Sequence, residues 1–472
     1  MLCMLRSVAP LASTLRMIAS RHSIEVLAIV LRMLVVACLL PSCASHSATT
    51  RTARDSLDRG DANAALSFYN KQLGTRSGAE QPVNVSGDTG LLLLDRSMVL
   101  QQVGALKSAS ADLELAEKQL ELLEFSSTAG NELGTYLFSD DTAPYRAPAY
   151  EKLLVNTMNM VNYLARGDLK GARVEARRLA VIQDYFKQEG NPGEELLGIG
   201  SYLAGFTFEK SNRPQSALRY YDEALHASDF SSLHEAVRRM ATRANYRTPR
   251  ITQVLSRAPA RQDSFNVDDT APAELLVVVN YGRVPVKVAR RLPIGLALSQ
   301  AGHFVRPGQV RLAREMTAQG AVTWVNFPSL PQPTERYKEP IVSVGGKRLK
   351  VNITNVGELT VTAWKKVRAR VIAAAITRLI ARYTTGKAIK KVAGKKSGLG
   401  ALLSILAQAG LTAADTPDTR SWSTLPARIA VARVVLAPGT HSVELSVRGV
   451  KKKQTIQLQP GGWATVLLTE LR

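Results

Sequence analysis

Two patterns of apolar and small residues divide this chain. Between residues 51 and 245, glycine and alanine recur at one fixed offset. From residue 274 onward, apolar residues come in short runs and in alternation. The run 275–279, closed by the turn formers Asn280 and Gly282, predicts a strand. Residues 321–325 and 341–344 are shorter candidates, and 349–354 alternates. Residues 429–436 predict another strand, followed by Ala437-Pro438-Gly439-Thr440, whose Pro and Gly suit the central positions of a type II turn. Beyond it Val443, Leu445 and Val447 alternate with Ser442, Glu444 and Ser446. Ile456 and Leu458 keep the period before Pro460-Gly461-Gly462 and a last run, 463–468. These read as antiparallel strands with one buried face. Between the strand groups, Val371, Ile372, Ala375, Ile376, Leu379, Ile380 and Tyr383 recur at helical spacing, with Arg368 intruding on the stripe.

In the first half, Gly60 precedes Ala65 by five residues, and the same step separates Gly104 from Ala109, Gly167 from Ala172 and Asn212 from Ala217. Four residues after each alanine stand Tyr69, Leu113, Ala176 and Tyr221. Gly or Asn suits the left-handed position that ends a helix, and Pro214 suits the first turn of the next one. The pattern resembles the tetratricopeptide repeat, with a small residue at the turn, an alanine at the closest approach of two helices and a larger residue behind it. The alanines are 44, 63 and 45 residues apart, so the repeats are irregular, and a plain helical bundle is the alternative. A repeat stack would offer a concave face to peptides or proteins.

The segment "YEKLLVNTMNMVNYLARGDLKGARVEARRL" (150–179) resembles a family of bacterial tetratricopeptide-repeat-containing lipoproteins of unassigned activity, and residues 274–294 and 418–445 carry further echoes. The resemblance spans the chain from about Tyr150 to its end; it implies an envelope location and a domain order, and no chemistry. The expected fold is α+β in two parts: a TPR-like helical domain at 51–245, a linker at 246–272, then a mostly antiparallel β domain. That domain comprises a β region at 273–360, an inserted basic helical segment at 361–413 and a β-hairpin region at 414–472.

Arg6, Arg16, Arg21 and Arg32 stand against Glu25 around the apolar blocks 24–31 and 33–40, the layout of an export signal over residues 1–42, with 43–50 as a linker. Leu40-Pro41-Ser42-Cys43 resembles a lipobox, which implies acylation of Cys43. Cys38, after Val35-Val36-Ala37, is the alternative, and Met17 is an alternative start. An uncleaved anchor or a signal cut without lipidation are the other readings; joining the two apolar blocks would place Arg32 inside a span. Several acyl chains on one cysteine anchor durably. Ala44 and Ser45 after the cysteine imply, by the same resemblance, the outer membrane. Cysteines occur at 3, 38 and 43 and nowhere later, so a mature chain beginning at Cys43 has no thiol for catalysis, disulfides or zinc.

Charge then separates the halves. The chain carries 61 Lys and Arg against 39 Asp and Glu; residues 43–270 hold 26 against 29, and residues 271–472 hold 31 against 9. An anionic partner for the second half follows, and export makes lipid headgroups, lipopolysaccharide or cell wall the candidates rather than nucleic acid. No acid lies between Glu358 and Asp415. Lys365, Lys366, Arg370, Arg378, Arg382, Lys387, Lys390, Lys391, Lys395 and Lys396 are the candidate anion-binding residues there. Either the helix lies on an anionic membrane, or its apolar stripe packs internally while the cations are solvated. Residues 399–413 could alternatively insert as a hairpin.

Catalytic patterns are sparse. The histidines lack the spacing of a zinc helix, and residues 394–400 are Gly-rich and basic without the full phosphate-loop motif. Asp418-Thr419-Arg420-Ser421-Trp422 reads as an acid–base pair fixing a loop. No nucleophile has an evident base, so neither enzyme activity nor a cofactor is expected. The expected role is a scaffold or assembly factor, lipid-anchored to the outer membrane on its periplasmic side, that binds an envelope protein or peptide through its repeats and an anionic surface through its basic half. A cell-wall binding accessory or enzyme is the alternative.

Overall fold

Helix-capping chemistry organises the first half. In a computed structural model describing residues 46–125, 145, 147–188, 197–257, 271–318, 324–333, 337–392 and 417–472, helices fill the N-terminal half and strands dominate the C-terminal part. After a short helix α1 (His46–Thr49), four helical hairpins follow: α2 (Arg51–Asp58) with α3 (Ala62–Gln72), α4 (Thr89–Gln102) with α5 (Leu106–Phe125), α6 (Ala149–Ala165) with α7 (Leu169–Gln188), and α8 (Leu197–Lys210) with α9 (Pro214–Ala227). Each turns at a residue with positive φ: Gly60 (81°), Gly104 (82°), Gly167 (74°) and Asn212 (57°). The bonding repeats as well. Gly60 N donates to Leu57 O and Asp61 N to Ser56 O, and the equivalent pair closes the other three turns. This is the Schellman arrangement, which satisfies the last carbonyls of a helix and needs a left-handed residue. Ala65, Ala109, Ala172, Ala176 and Ala217 are fully buried, as are Tyr69 and Tyr221.

Two more helices, α10 (His234–Ala241) and α11 (Pro249–Ser256), complete the layer. The segment 246–272 is therefore not simply a linker: Thr248 Oγ1 caps α11 by accepting from Ile251 N, and Ile251 and Val254 are buried in the core. Nor is 43–50 a free tether throughout, because His46 and Thr50 are buried.

The strands form a sandwich. One sheet has the order β10-β1-β7-β6 and the other β5-β4-β8-β9, from β1 (Ala273–Tyr281), β4 (Ile341–Val344), β5 (Lys347–Arg348), β6 (Asn352–Thr354), β7 (Arg428–Leu436), β8 (Gly439–Val447), β9 (Val450–Leu458) and β10 (Trp463–Glu470). Leu275, Val277, Val279, Val344, Leu445 and Ile456 share the core between the sheets. The opposite face of the first sheet, with Leu276, Val278, Ile429, Val431 and Leu467, joins the core of the helices. β1 is accordingly buried at every residue, which is why its sequence is a continuous apolar run rather than an alternation. The helical half and the first sheet thus share a core, while the two sheets enclose a second one.

Two strand expectations are corrected. β1 and β10 pair in parallel, Glu274 opposite Trp463, because the chain returns from the second sheet before laying down its last strand. Pro438-Gly439 does not close a hairpin: β7 and β8 belong to different sheets, so this corner carries the chain from one to the other. The tight hairpin lies further on, between β8 and β9, where Arg448 (φ 49°) and Gly449 (φ 82°) form the two-residue loop.

A third module stands on the sandwich: the hairpin of β2 (Val288–Pro293) and β3 (Trp324–Ser329), with helices α12 (Ile294–Ala301), α13 (Pro307–Ala318) and α14 (Val356–Val392).

Candidate anionic-surface site

Asn355 starts α14 by accepting from Glu358 N, and no proline interrupts the helix to residue 392. Ile372, Ala375, Ile376, Leu379, Ile380 and Tyr383 are buried against Ile294, Ala297, Ala313, Met316, Val325 and Phe327 of the third module. Of the two roles open to the stripe, internal packing is the observed one. A second line of the helix, Trp364, Val367 and Val371, packs with Leu330 and Val361.

The cations divide accordingly. Lys365, Lys366 and Arg370 are exposed. The Arg370 guanidinium lies 5.4 Å from the centre of the Phe304 ring, and Arg368, one turn before the stripe becomes buried, donates to Gln300 Oε1 at 2.8 Å. Arg378 is 4% exposed, which corrects its expected place on the surface: it stands seven residues beyond Val371, on the second packed line. The side chain of Arg382 and those of Lys387, Lys390 and Lys391, which continue α14, lie outside the described residues, as do Lys395, Lys396, residues 399–413, Cys38 and Cys43.

Neighbouring elements add charge that the helix alone did not reveal. Arg290 and Arg291 on β2, and Arg306, Arg311 and Arg314 at and along α13, are exposed, with Glu315 as the one acid from residue 275 to 334. Leu296, Phe304 and Trp324 are 47, 40 and 53% exposed on the same module. The signal was in the sequence, since the acid-poor stretch begins well before α14.

Elsewhere charges are consumed by architecture. At the junction of α8, α10 and the first sheet, Arg433 donates to Glu209 Oε2 at 2.7 Å, to Glu274 Oε1, and to the Tyr221 hydroxyl at 2.9 Å. Lys210 and Arg239 each bridge the same two carboxylates. Burial alone would raise the Glu274 pKa, but Arg433, Lys210 and Arg239 hold it well below the usual carboxylate range, and Glu209 moves the same way. A cleft of about 460 Å³ opens beside this cluster.

The loop 418–424 clamps sandwich to helices. Arg420 donates to Asp418, the pairing expected from sequence, and also to Asp88 at 2.7 Å. Buried Asp95 accepts from Ser423 Oγ and Thr424 N and lies 3.1 Å from His46 Nε2. The carboxylate stands between hydroxyl and imidazole, so the imidazole does not bond the serine oxygen directly. Gln101 ties Asn162, Asn280 and Thr469 into one buried network. Among the described residues, no group of three or more His, Cys, Asp or Glu is placed to hold a metal ion, and no helix is long and apolar enough to cross a membrane.

Within the helical layer, buried Asn156 Nδ2 donates to Glu117 at 2.6 Å and to Glu175 at 2.9 Å. Burial raises the Glu175 pKa to about 7, with Glu117 adding to the rise against the Asn156 hydrogen bond. No protein-family profile, curated protein or solved structure matches the chain.

Proposed function

We propose that this chain is a lipid-tethered scaffold of the bacterial outer membrane, facing the periplasm, whose third module engages an anionic envelope surface. One observation carries the reading: the apolar stripe of α14 is satisfied within the protein, while Lys365 and Arg370, with Arg290 and Arg291 of β2 and Arg306 and Arg314 at and along α13, remain on the outside, and the one acid among them, Glu315, pairs with Arg311. Such a face binds by summed charge, each cation near an anionic surface contributing about 1 kcal/mol. In this reading acyl chains on Cys43, or on Cys38, supply the tether.

The helical layer is the protein-docking part. Its TPR-like character is supported by four Schellman turns at one offset from four buried alanines. Because one side of the layer packs on the chain's own sheet, docking falls to its remaining surface, where Val174 and Val181 stand exposed seven residues apart on α7.

Cosedimentation of the purified mature chain tests the surface and its kind. Vesicles with and without phosphatidylglycerol, and isolated sacculi, are compared at about 50 and about 300 mM salt, across which the screening length shortens. Pelleting with anionic vesicles that fades at high salt is expected. Equal pelleting with neutral vesicles contradicts the reading, and release of soluble fragments from sacculi turns it toward a cell-wall enzyme.

A further inference from the structure

A second cationic feature lies away from the third module, where the first helical hairpin meets the sandwich. A pocket of about 270 Å³ is walled by Pro285, Pro331 and Pro333 and receives Arg54, Arg283 and Arg472. Among the described residues that line it, Asp58 is the one acid. The backbone builds this wall firmly. Gly282, at φ 65°, lies under the Tyr337 ring so closely that a Cβ would come within 2.4 Å of it, which fixes the turn that delivers Arg283.

The three guanidiniums are incompletely used. Arg54 donates from Nη1 to Thr50 Oγ1 at 2.6 Å and from Nη2 to Ser47 O at 2.6 Å, both uncharged acceptors, and among the described residues no carboxylate lies at ion-pair distance from it. Arg283 divides itself between Arg54 O at 3.0 Å and Asp58 at 2.7 Å. Arg472 donates to Arg448 O at 2.7 Å, with its Nε 3.5 Å from Glu470. Among the described residues, several N–H groups on each fork have no acceptor. Burial lowers the Arg54 pKa, and Arg283 adds to the fall against the opposing charges of Asp95 and Asp55. At the Glu209–Glu274 junction, by contrast, Arg433 carries two carboxylates on its guanidinium.

We propose that this pocket binds a phosphomonoester, with Arg54, Arg283 and Arg472 donating to its oxygens. Guanidinium forks fit phosphate in bidentate fashion, a dianion answers the excess charge, and the proline walls accommodate a short apolar substituent. The phosphate could belong to a free metabolite or to a lipid headgroup, and Asp58 competes with it for Arg283.

Calorimetric titration of the mature chain with inorganic phosphate, a short-chain phosphatidic acid and acetate tests this. Phosphate and phosphatidic acid are expected to bind and acetate to bind at least ~10-fold more weakly. Tighter binding of phosphatidic acid assigns the site to a headgroup, and equal binding assigns it to free phosphate. Arg54→Gln is expected to weaken phosphate about 10-fold, and Asp58→Asn, which removes the competing acid without touching the hydrophobic core, to tighten it about 3-fold. Absence of phosphate binding, acetate as tight as phosphate, or unchanged affinity in Asp58→Asn overturns the proposal. The paired variant Lys365→Glu with Arg370→Glu must leave phosphate affinity unaltered, so failure of the surface reading and failure of this pocket are distinguishable.

Discussion

Arg433 lies inside the junction of helices and sandwich, 3% exposed in its side chain, with Glu209 and Glu274 on its guanidinium and Tyr221 beside it. Lys365 and Arg370 stand on the outside of α14 with no acid near them in sequence after Glu358. Net charge treats the three alike, yet the first is an internal fastener and the other two are surplus. The difference teaches that a basic half is informative only after its paired cations are set aside: what binds an external anion is the unneutralised remainder. Arg378 makes the same point within one helix, since a single position can be cationic by type and buried by geometry.

The comparison can be broken most severely at the junction. Arg433→Met leaves two buried carboxylates with only Lys210 and Arg239 for compensation, and a loss of about 3–5 kcal/mol is expected in urea denaturation. The third module responds next. Ile376→Ala removes a buried contact to the hairpin and α13, with an expected cost of about 2–4 kcal/mol and no change in the charge of the outer face.

Titration separates the carboxylates of the junction from those of the helical layer. The Glu175 pKa is raised by burial to about 7, so the folded state holds a proton that the unfolded chain releases near its ordinary value of 4.5. Stability contributed by protonated Glu175 therefore declines as pH rises from about 4.5 to about 7, by up to about 3 kcal/mol, and Glu175→Gln should flatten that slope. Glu274 has the opposite sign. Its depressed pKa adds stability that is fully present above 4.5 and is lost as pH falls through the folded value. Thermal unfolding across pH 3 to 8, wild type against Glu175→Gln, checks both. The smallest effect is expected outside: Lys365→Gln should alter stability by no more than about 0.5 kcal/mol.

How much of this was legible in the sequence depends on how far apart the interacting residues lie. Local chemistry showed through. Gly60, Gly104, Gly167 and Asn212 fell at left-handed turns because a Schellman end requires such a residue within a few positions, and the 275–279 run became a strand buried on both faces. The Asp418–Arg420 pair formed as read, two residues apart. Long-range pairings did not show. Glu209, Lys210, Arg239, Glu274 and Arg433 converge from four elements, and nothing local marks them as one cluster. Pro438-Gly439 carries hairpin residues yet makes an inter-sheet corner, since turn chemistry fixes a bend but not the sheet that the next strand joins. Gly171 and Gly205 carry no local mark, although their absent side chains admit the rings of Tyr163 and Tyr221; an aromatic facing a glycine across each hairpin is visible only once the helices are paired. Inside α14 the periodicity located the stripe correctly but could not say what would cover it.

The central claim is that surplus cations of the third module, rather than the basic half as a whole, recognise an anionic surface. Its most direct test is one paired measurement on Lys365→Glu with Arg370→Glu: melting temperature, and salt-sensitive binding to phosphatidylglycerol vesicles. An unchanged melting temperature with at least ~10-fold weaker binding is expected. Unchanged binding in a folded variant contradicts the account.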